Sequence, residues 1–298
     1  MPLAGRYASG HCALWALGAP RFQMSVTDPR LLASSEPSAI GLLVGATQRG
    51  IADVQEYVFL AARSLTNVLT HPRYVTDLFE QMDLIGVGSL PIVLLTSFFI
   101  GAVMVLHTAS QFTRFGQTAL TGDVVAIALV RELGPTIAGL LVAGRCASGI
   151  ASELGSMVVT EQVDAMRAMG TDPSRKLVSP RVWATTLMLP LLTAMADFVG
   201  LVGGYAVSTF TLRLGAIEFW TRAINALEFS DIMQGMIKPL IFGFILSTVG
   251  CFQGLRVRGG TQGVGRATTQ AVVVSSVLML VTNFFLTKIM LYIAGKGV

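Results

Sequence analysis

The sequence predicts an all-α integral membrane protein: an N-terminal interfacial amphipathic helix, five transmembrane helices, and a short polar cytosolic helix between the second and third spans. Three observations predict the class. The 298 residues are 53% hydrophobic and only 13% charged, whereas soluble domains carry roughly 25% charged residues. The mean hydropathy is +0.67. Several apolar runs approach the roughly 20 residues that a helix needs to cross a bilayer, and helices satisfy their own backbone polar groups in lipid.

Taken in order, residues 1–40 read as a variable extension. The apolar run at 11–20 is short and lies between Arg6 and Arg21, unlike a clean signal peptide. Residues 25–38 have the composition of a disordered segment, and Met24 offers an alternative start. The Arg-containing, acid-poor beginning carries a weak targeting signal. Residues 41–85 read as interfacial amphipathic helices. In the first, Ile51, Val54, Val58, Ala61, Leu65 and Val68 recur at three- and four-residue steps, away from Asp53, Glu56 and Arg63. Pro72 suits the first turn of a second short helix bearing Tyr74, Leu78, Phe79 and Met82. Residues 86–298 form the transmembrane domain. Its spans are expected at about 90–112, 124–159, 182–210, 236–255 and 271–294.

Basic residues set the expected orientation. Arg49, Arg63 and Arg73 precede span one. Arg167, Arg175, Lys176 and Arg181 follow span two, and Arg256, Arg258 and Arg266 follow span four. Against these ten stand four on the other side: Arg114, Arg213, Arg222 and Lys296. The positive-inside rule therefore predicts a cytoplasmic N-terminus and an outer C-terminus. With no basic–aromatic interleaving, the charge of +4 points to topology rather than nucleic acid.

Residues 129–181 concentrate the polar chemistry. Arg131 and Glu132 lie at membrane depth near the outer end of span two, where an unpaired charge costs several kcal/mol. They are candidate lipid-cavity residues, with a structural ion pair, or side chains snorkelling to the outer surface, as the competing readings. Pro135 should kink the helix. Gly139, Ala143, Ala147, Ala151 and Gly155 form one small-residue ladder, and Gly144, Ser148, Ser152 and Ser156 a second beside it. Both favour close helix packing. Arg145 and Glu153 flank them without a named partner. Residues 160–169 read as a polar helix in which Glu161, Asp164 and Arg167 alternate with a Val163, Met166 and Met169 stripe that suits a protein groove. Gly170 and Pro173 stop it. Asp197 is a lone intramembrane acid, read first as a hydrogen-bonded interface residue and second as an ion-coupling group. His107 reads as interfacial.

Enzyme chemistry is not supported. Gly260 to Gly265 has the spacing of a phosphate loop, but Arg266-Ala267 stand where Lys-Ser/Thr is required. GxSxG and HExxH are absent, and Cys12, Cys146 and Cys251 are too scattered for a metal or disulfide framework.

The segments LVRELGPTIAGLLVAGRCASGIASELGSMVVTEQVDAMRAMGTDP (129–173), SPRVWATTLMLPLL (179–192) and GVGRATTQAVVVSS (263–276) resemble the MlaE/YrbE permeases, the membrane subunits of MCE-type lipid ABC transporters. The resemblance covers roughly residues 75–295. It implies a homodimeric permease of phospholipids or related lipids between the cytoplasmic membrane and the outer envelope. It also implies a separate cytosolic ATPase carrying ATP and Mg, an outer-face MCE substrate-binding protein and, in some systems, a STAS-domain protein. No cofactor or metal is expected on this chain. The family's coupling helix maps to Glu161, Gln162, Val163, Asp164, Ala165, Met166 and Arg167. Its lipid cavity, at the dimer centre between the first, second and fifth spans, falls near Arg131 and Glu132. Location in a bacterial inner membrane is implied, and related plastid permeases leave an organelle inner envelope open. The competing classes are an ion-coupled secondary transporter using Asp197 or Arg131/Glu132, and a scaffold that only anchors an MCE protein.

Overall fold

The computed structural model describes residues 39–67, 74–210 and 216–293. The readings of residues 1–38, Val68, Pro72, Arg73, Arg213 and Lys296 lie outside the described residues. The chain divides into two compact units, Met1–Ile51 and Ala52–Val298. The first is described only from Ala39, as helix. The second contains everything that follows.

Among the described residues, five helices have the length and composition to cross a membrane: Val75–Thr113, Thr121–Val159, Ser174–Phe210, Phe229–Leu255 and Gly260–Ile293. No strand occurs among the described residues. Spans one, three, four and five begin well before their expected starts. The stretch from Val75, expected as a separate short helix, is the first part of span one, because Leu78, Met82 and Ile85 continue the face that packs on the core. Span four starts at Phe229, where Glu228 and Asp231 form a capping box that satisfies orphan backbone donors. The expected loop at 260–270 is instead the start of span five. Gly155 of span two leaves room for Val264, and Ala271 packs on Ala147 and Ala151, so small side chains give the helix a surface to close against.

The bundle has two ends. At one, called the base, spans one, three and five begin; at the other, the top, they finish. The main core gathers Val93 of span one, Val142 of span two, Leu189 and Leu192 of span three, Phe242 and Leu246 of span four, and Met279 of span five. Spans one and three make the tightest pairing. A Cβ on Gly101 would collide with the Gly200 carbonyl, and one on Gly203 with the Phe98 carbonyl.

Residues 52–67 are helical and lie along the base. Tyr57 donates to or accepts from Thr248 Oγ1 at 2.8 Å, and burial raises the Tyr57 hydroxyl above its usual pKa. Arg63 Nη2 meets Asp172 at 3.0 Å, Arg256 meets Asp53 at 2.7 Å, and Trp183 Nε1 donates to the Ser64 carbonyl at 3.3 Å. The inward face thus combines these polar and aromatic contacts with Leu60, which packs on the cluster around Ile150 and Val182. Most of the apolar stripe read from the sequence, including Val54, Val58 and Leu65, is exposed, together with Phe59.

Candidate functional site

Two local sequence features place the charges of span two. The helix widens to a π turn over Leu129–Leu133, where the Gly134 N–H reaches the Leu129 carbonyl. Such turns recur at functional sites. Pro135 then supplies no N–H for the carbonyl of Arg131. Lys238 Nζ, from span four, donates to that oxygen at 2.9 Å.

Span four offers the matching face. Asp231, Gly235 and Lys238 lie three and four residues apart and share one side of the helix. Gly235 brings the backbones close, since an added Cβ would stand 2.8 Å from the Val130 carbonyl. Arg131 Nε donates to Asp231 Oδ1 at 2.6 Å, while Asp231 Oδ2 accepts the Glu228 N–H at 3.1 Å. One acid therefore caps span four and neutralises Arg131. Lys238 Nζ donates to Glu132 Oε1 at 2.7 Å. Span five completes the cluster: Thr287 Oγ1 donates to Glu132 Oε1 at 3.1 Å, and Asn283 Nδ2 lies 3.4 Å from Oε2.

Adjacent helical residues point about 100° apart, and the structure uses both directions. Arg131 reaches toward the top and Glu132 toward span five. The Asp231 and Lys238 side chains are 0% exposed, Arg131 21% and Glu132 39%. The network is hence a pair of ion pairs with its acid partner Glu132 still open on one side. An open carboxylate edge, backed by a buried cation, can meet a polar group without losing its charge compensation.

The structure brings Arg131 and Glu132 together with three residues of spans four and five that the sequence reading did not select: Lys238, Asn283 and Thr287. Asp231 lies before the expected start of span four at about 236. A lysine in an otherwise apolar helix, directly before Pro239, was the available signal for Lys238.

The two ladders of span two separate. Gly139, Ala143, Ala147, Ala151 and Gly155 are buried against spans four and five. Gly144, Ser152 and Ser156 are exposed and Ser148 is half-buried, so this ladder packs on little in the chain. The two flanking charges now have partners. Arg145 Nη1 donates to Ser89 Oγ at 3.0 Å, lying across Gly88 of span one. Glu153 accepts from Arg181 Nη2 at 2.9 Å. Arg181, expected in the loop after span two, is buried inside span three, where the Leu177 carbonyl and Glu153 accept from its Nη1 and Nη2 while its Nε is left without a partner. Asp197 is 8% exposed, and its Oδ1 lies unbonded against Gly134. It is therefore not the hydrogen-bonded interface residue expected. A Gly134→Ala substitution should lower the thermal midpoint through this collision; an unchanged midpoint would show that Asp197 swings away freely.

At the base, helix Gln162–Ala168 follows Glu161, whose left-handed φ of 58° is unusual for a side chain with a Cβ. Val163 is buried beside Ile150 and Leu154, and Met166 packs on the same cluster. The Val/Met stripe is thus largely used within the chain, leaving Met169 exposed. What faces outward is polar: Glu161, Gln162, Asp164 and Arg167, with Arg167 Nη1 2.8 Å from Asp164.

Five apolar spans, a polar network wedged between three of them and a short polar helix presented at one end define a multi-pass permease-type membrane subunit. The comparisons agree. A family model described as Permease MlaE matches residues 78–289. A probable ABC transporter permease protein of Rickettsia typhi is 41% identical over 227 residues, covering 76% of this chain and 88% of the relative. The intermembrane phospholipid transport system permease protein MlaE of Haemophilus influenzae is 36% identical, covering 72% and 82%. The chloroplastic protein trigalactosyldiacylglycerol 1 of Arabidopsis thaliana is 37% identical, covering 80% and 68%. The chain belongs to the MlaE permease family.

Proposed function

We propose that this chain is the permease subunit of an ABC transporter that moves phospholipids or related lipids between the cytoplasmic membrane and the outer envelope, powered by ATP hydrolysis on a separate subunit. The observation that carries the reading is the continuity of span two. Span two carries the open carboxylate of Glu132 near the top and ends at Val159, directly before the exposed Glu161–Arg167 face at the base. A rigid element between a polar membrane site and a cytosolic surface is what coupling requires. Relatives named as ABC and phospholipid transport permeases support the class.

In this reading two copies pair, and Arg131 and Glu132 border a shared lipid cavity. The base faces the cytoplasm, as its excess of Arg and Lys favours. An MCE protein sits over the top, and a cytosolic ATPase receives the Glu161–Arg167 helix, with a STAS-domain protein joining it in some systems. Strain at Glu161 suits a surface held in one conformation for a partner.

The test is charge reversal on that exposed face. Glu161→Lys with Asp164→Lys should abolish co-purification of the ATPase and ATP-dependent lipid transfer between vesicles, with elution on size exclusion unchanged. Retained ATPase binding and transfer would remove the coupling assignment. Secondary transport would show instead as lipid movement that follows an ion gradient and ignores ATPase loss.

A further inference from the structure

Around the turn between spans four and five lie three arginines, Arg256, Arg258 and Arg266, to which the transport reading gives no binding role. Span four closes at Leu255, and Arg256, Val257 and Arg258 lead into the turn. Gly259 and Gly260 then adopt φ of 89° and 66°, a left-handed path that glycine takes without strain. Gly263 fits directly beneath the Arg258 carbonyl, where a Cβ would collide. This tight return brings Arg266, in the second turn of span five, back over Gly259. Gln253, Arg256, Arg258, Arg266 and Gln270 line the resulting open groove of about 330 Å³.

The charges in the groove are unequal. Arg256 is committed: it lies 2.7 Å from Asp53 and 3.7 Å from Glu56, and covers the Phe252 ring at 4.9 Å. Arg258 and Arg266 are exposed and have no acidic partner among the described residues. Residues 52–67 set the groove's depth. They grip the base through Asp53, Glu56 and Tyr57 while turning Val54, Val58 and Phe59 outward. A helix that shows apolar side chains on the outside of a membrane protein rests at headgroup level.

We infer that this groove binds the phosphate of an anionic lipid headgroup from the leaflet at the base. Two free guanidinium groups can hold phosphate oxygens by paired, charge-assisted hydrogen bonds. The first N–H groups of the 34-residue helix opening at Gly260 add donors and a favourable dipole. The same chemistry would accept a soluble phosphate, so the membrane depth of the groove selects the lipid. This site is at the opposite end from Glu132, and its failure would leave the transport reading untouched.

The test uses the full chain in nanodiscs of phosphatidylcholine doped with labelled phosphatidylglycerol. Arg258→Gln with Arg266→Gln should weaken retention of the labelled lipid roughly tenfold. Arg258→Lys with Arg266→Lys should keep most of it, and Arg222→Gln, at the top, should not change it. Unchanged retention in the double Gln variant overturns the proposal. Displacement of the lipid by excess inorganic phosphate would assign the groove to a soluble phosphate and overturn the lipid source. If the double Gln variant keeps its lipid but loses a co-purifying ATPase, the groove belongs to a protein contact and the proposal falls.

Discussion

Glu132→Leu should destabilise the purified protein by about 3–5 kcal/mol, because it strands a cation that is fully enclosed. Lys238 is 0% exposed, and without Glu132 its ammonium keeps only the Arg131 carbonyl. The reverse change, Lys238→Met, should cost less. Glu132 is 39% exposed and retains Thr287 and Asn283. Combining Glu132→Leu with Lys238→Met should recover most of the loss, since an apolar pair of similar volume often replaces a buried ion pair with little penalty. Thermal midpoints of the three variants in one detergent measure this cycle. A Lys238→Met variant less stable than Glu132→Leu would mean that Glu132, not Lys238, is the enclosed partner. Lipid transfer by the double variant separates roles further. Restored stability without restored transfer would show that the open carboxylate serves the cargo as well as the fold.

Gly101→Val should be the most damaging change between spans one and three, at about 3 kcal/mol, the upper part of the usual range for overpacking. The range usually applies where side chains can shift. Here the obstacle is the Gly200 carbonyl, and Gly203 meets Phe98 in the same way one turn along. Separating the two backbones would also open the Val93–Leu192 part of the core. Gly144→Val provides the control, because nothing lies within 4 Å of an added Cβ at Gly144. Equal midpoints for the two variants would show that spans one and three tolerate a wider spacing. A loss for Gly144→Val only when the protein is dimeric would place the exposed Gly144–Ser156 ladder between two copies.

Some of the site was legible because it rests on local chemistry. Arg131, Glu132 and Pro135 stand out in an apolar helix on composition alone, and the polar 160–169 segment between two spans is equally visible. Their consequences depended on partners far along the chain. Asp231 lies 100 residues from Arg131 and Thr287 155 from Glu132. Periodicity could show that Val163 and Met166 form a stripe, but not that Ile150 and Leu154 would cover it. The small-residue ladders of span two drew attention, while the tighter contact uses Gly200 and Gly204 of span three with Gly101 and Val105 of span one. A four-residue Gly spacing there was the available signal.

By itself, the sequence determined the class: hydropathy and the need to satisfy backbone groups in lipid require five helices, and the motif-bearing segments carry the family. It also determined which side chains are too polar for lipid. Only the tertiary structure decided what each of them does. Hydrogen bonds and ion pairs act over a few ångströms, so Arg145 with Ser89, Glu153 with Arg181 and Glu132 with Lys238 become partners through helix packing alone. Residues 129–181 therefore contain Arg131, Glu132, Arg145 and Glu153, but spans one, three, four and five supply the groups that meet them. Glu132 is left partly open, while Arg258 and Arg266, outside that stretch, have no acidic partner among the described residues.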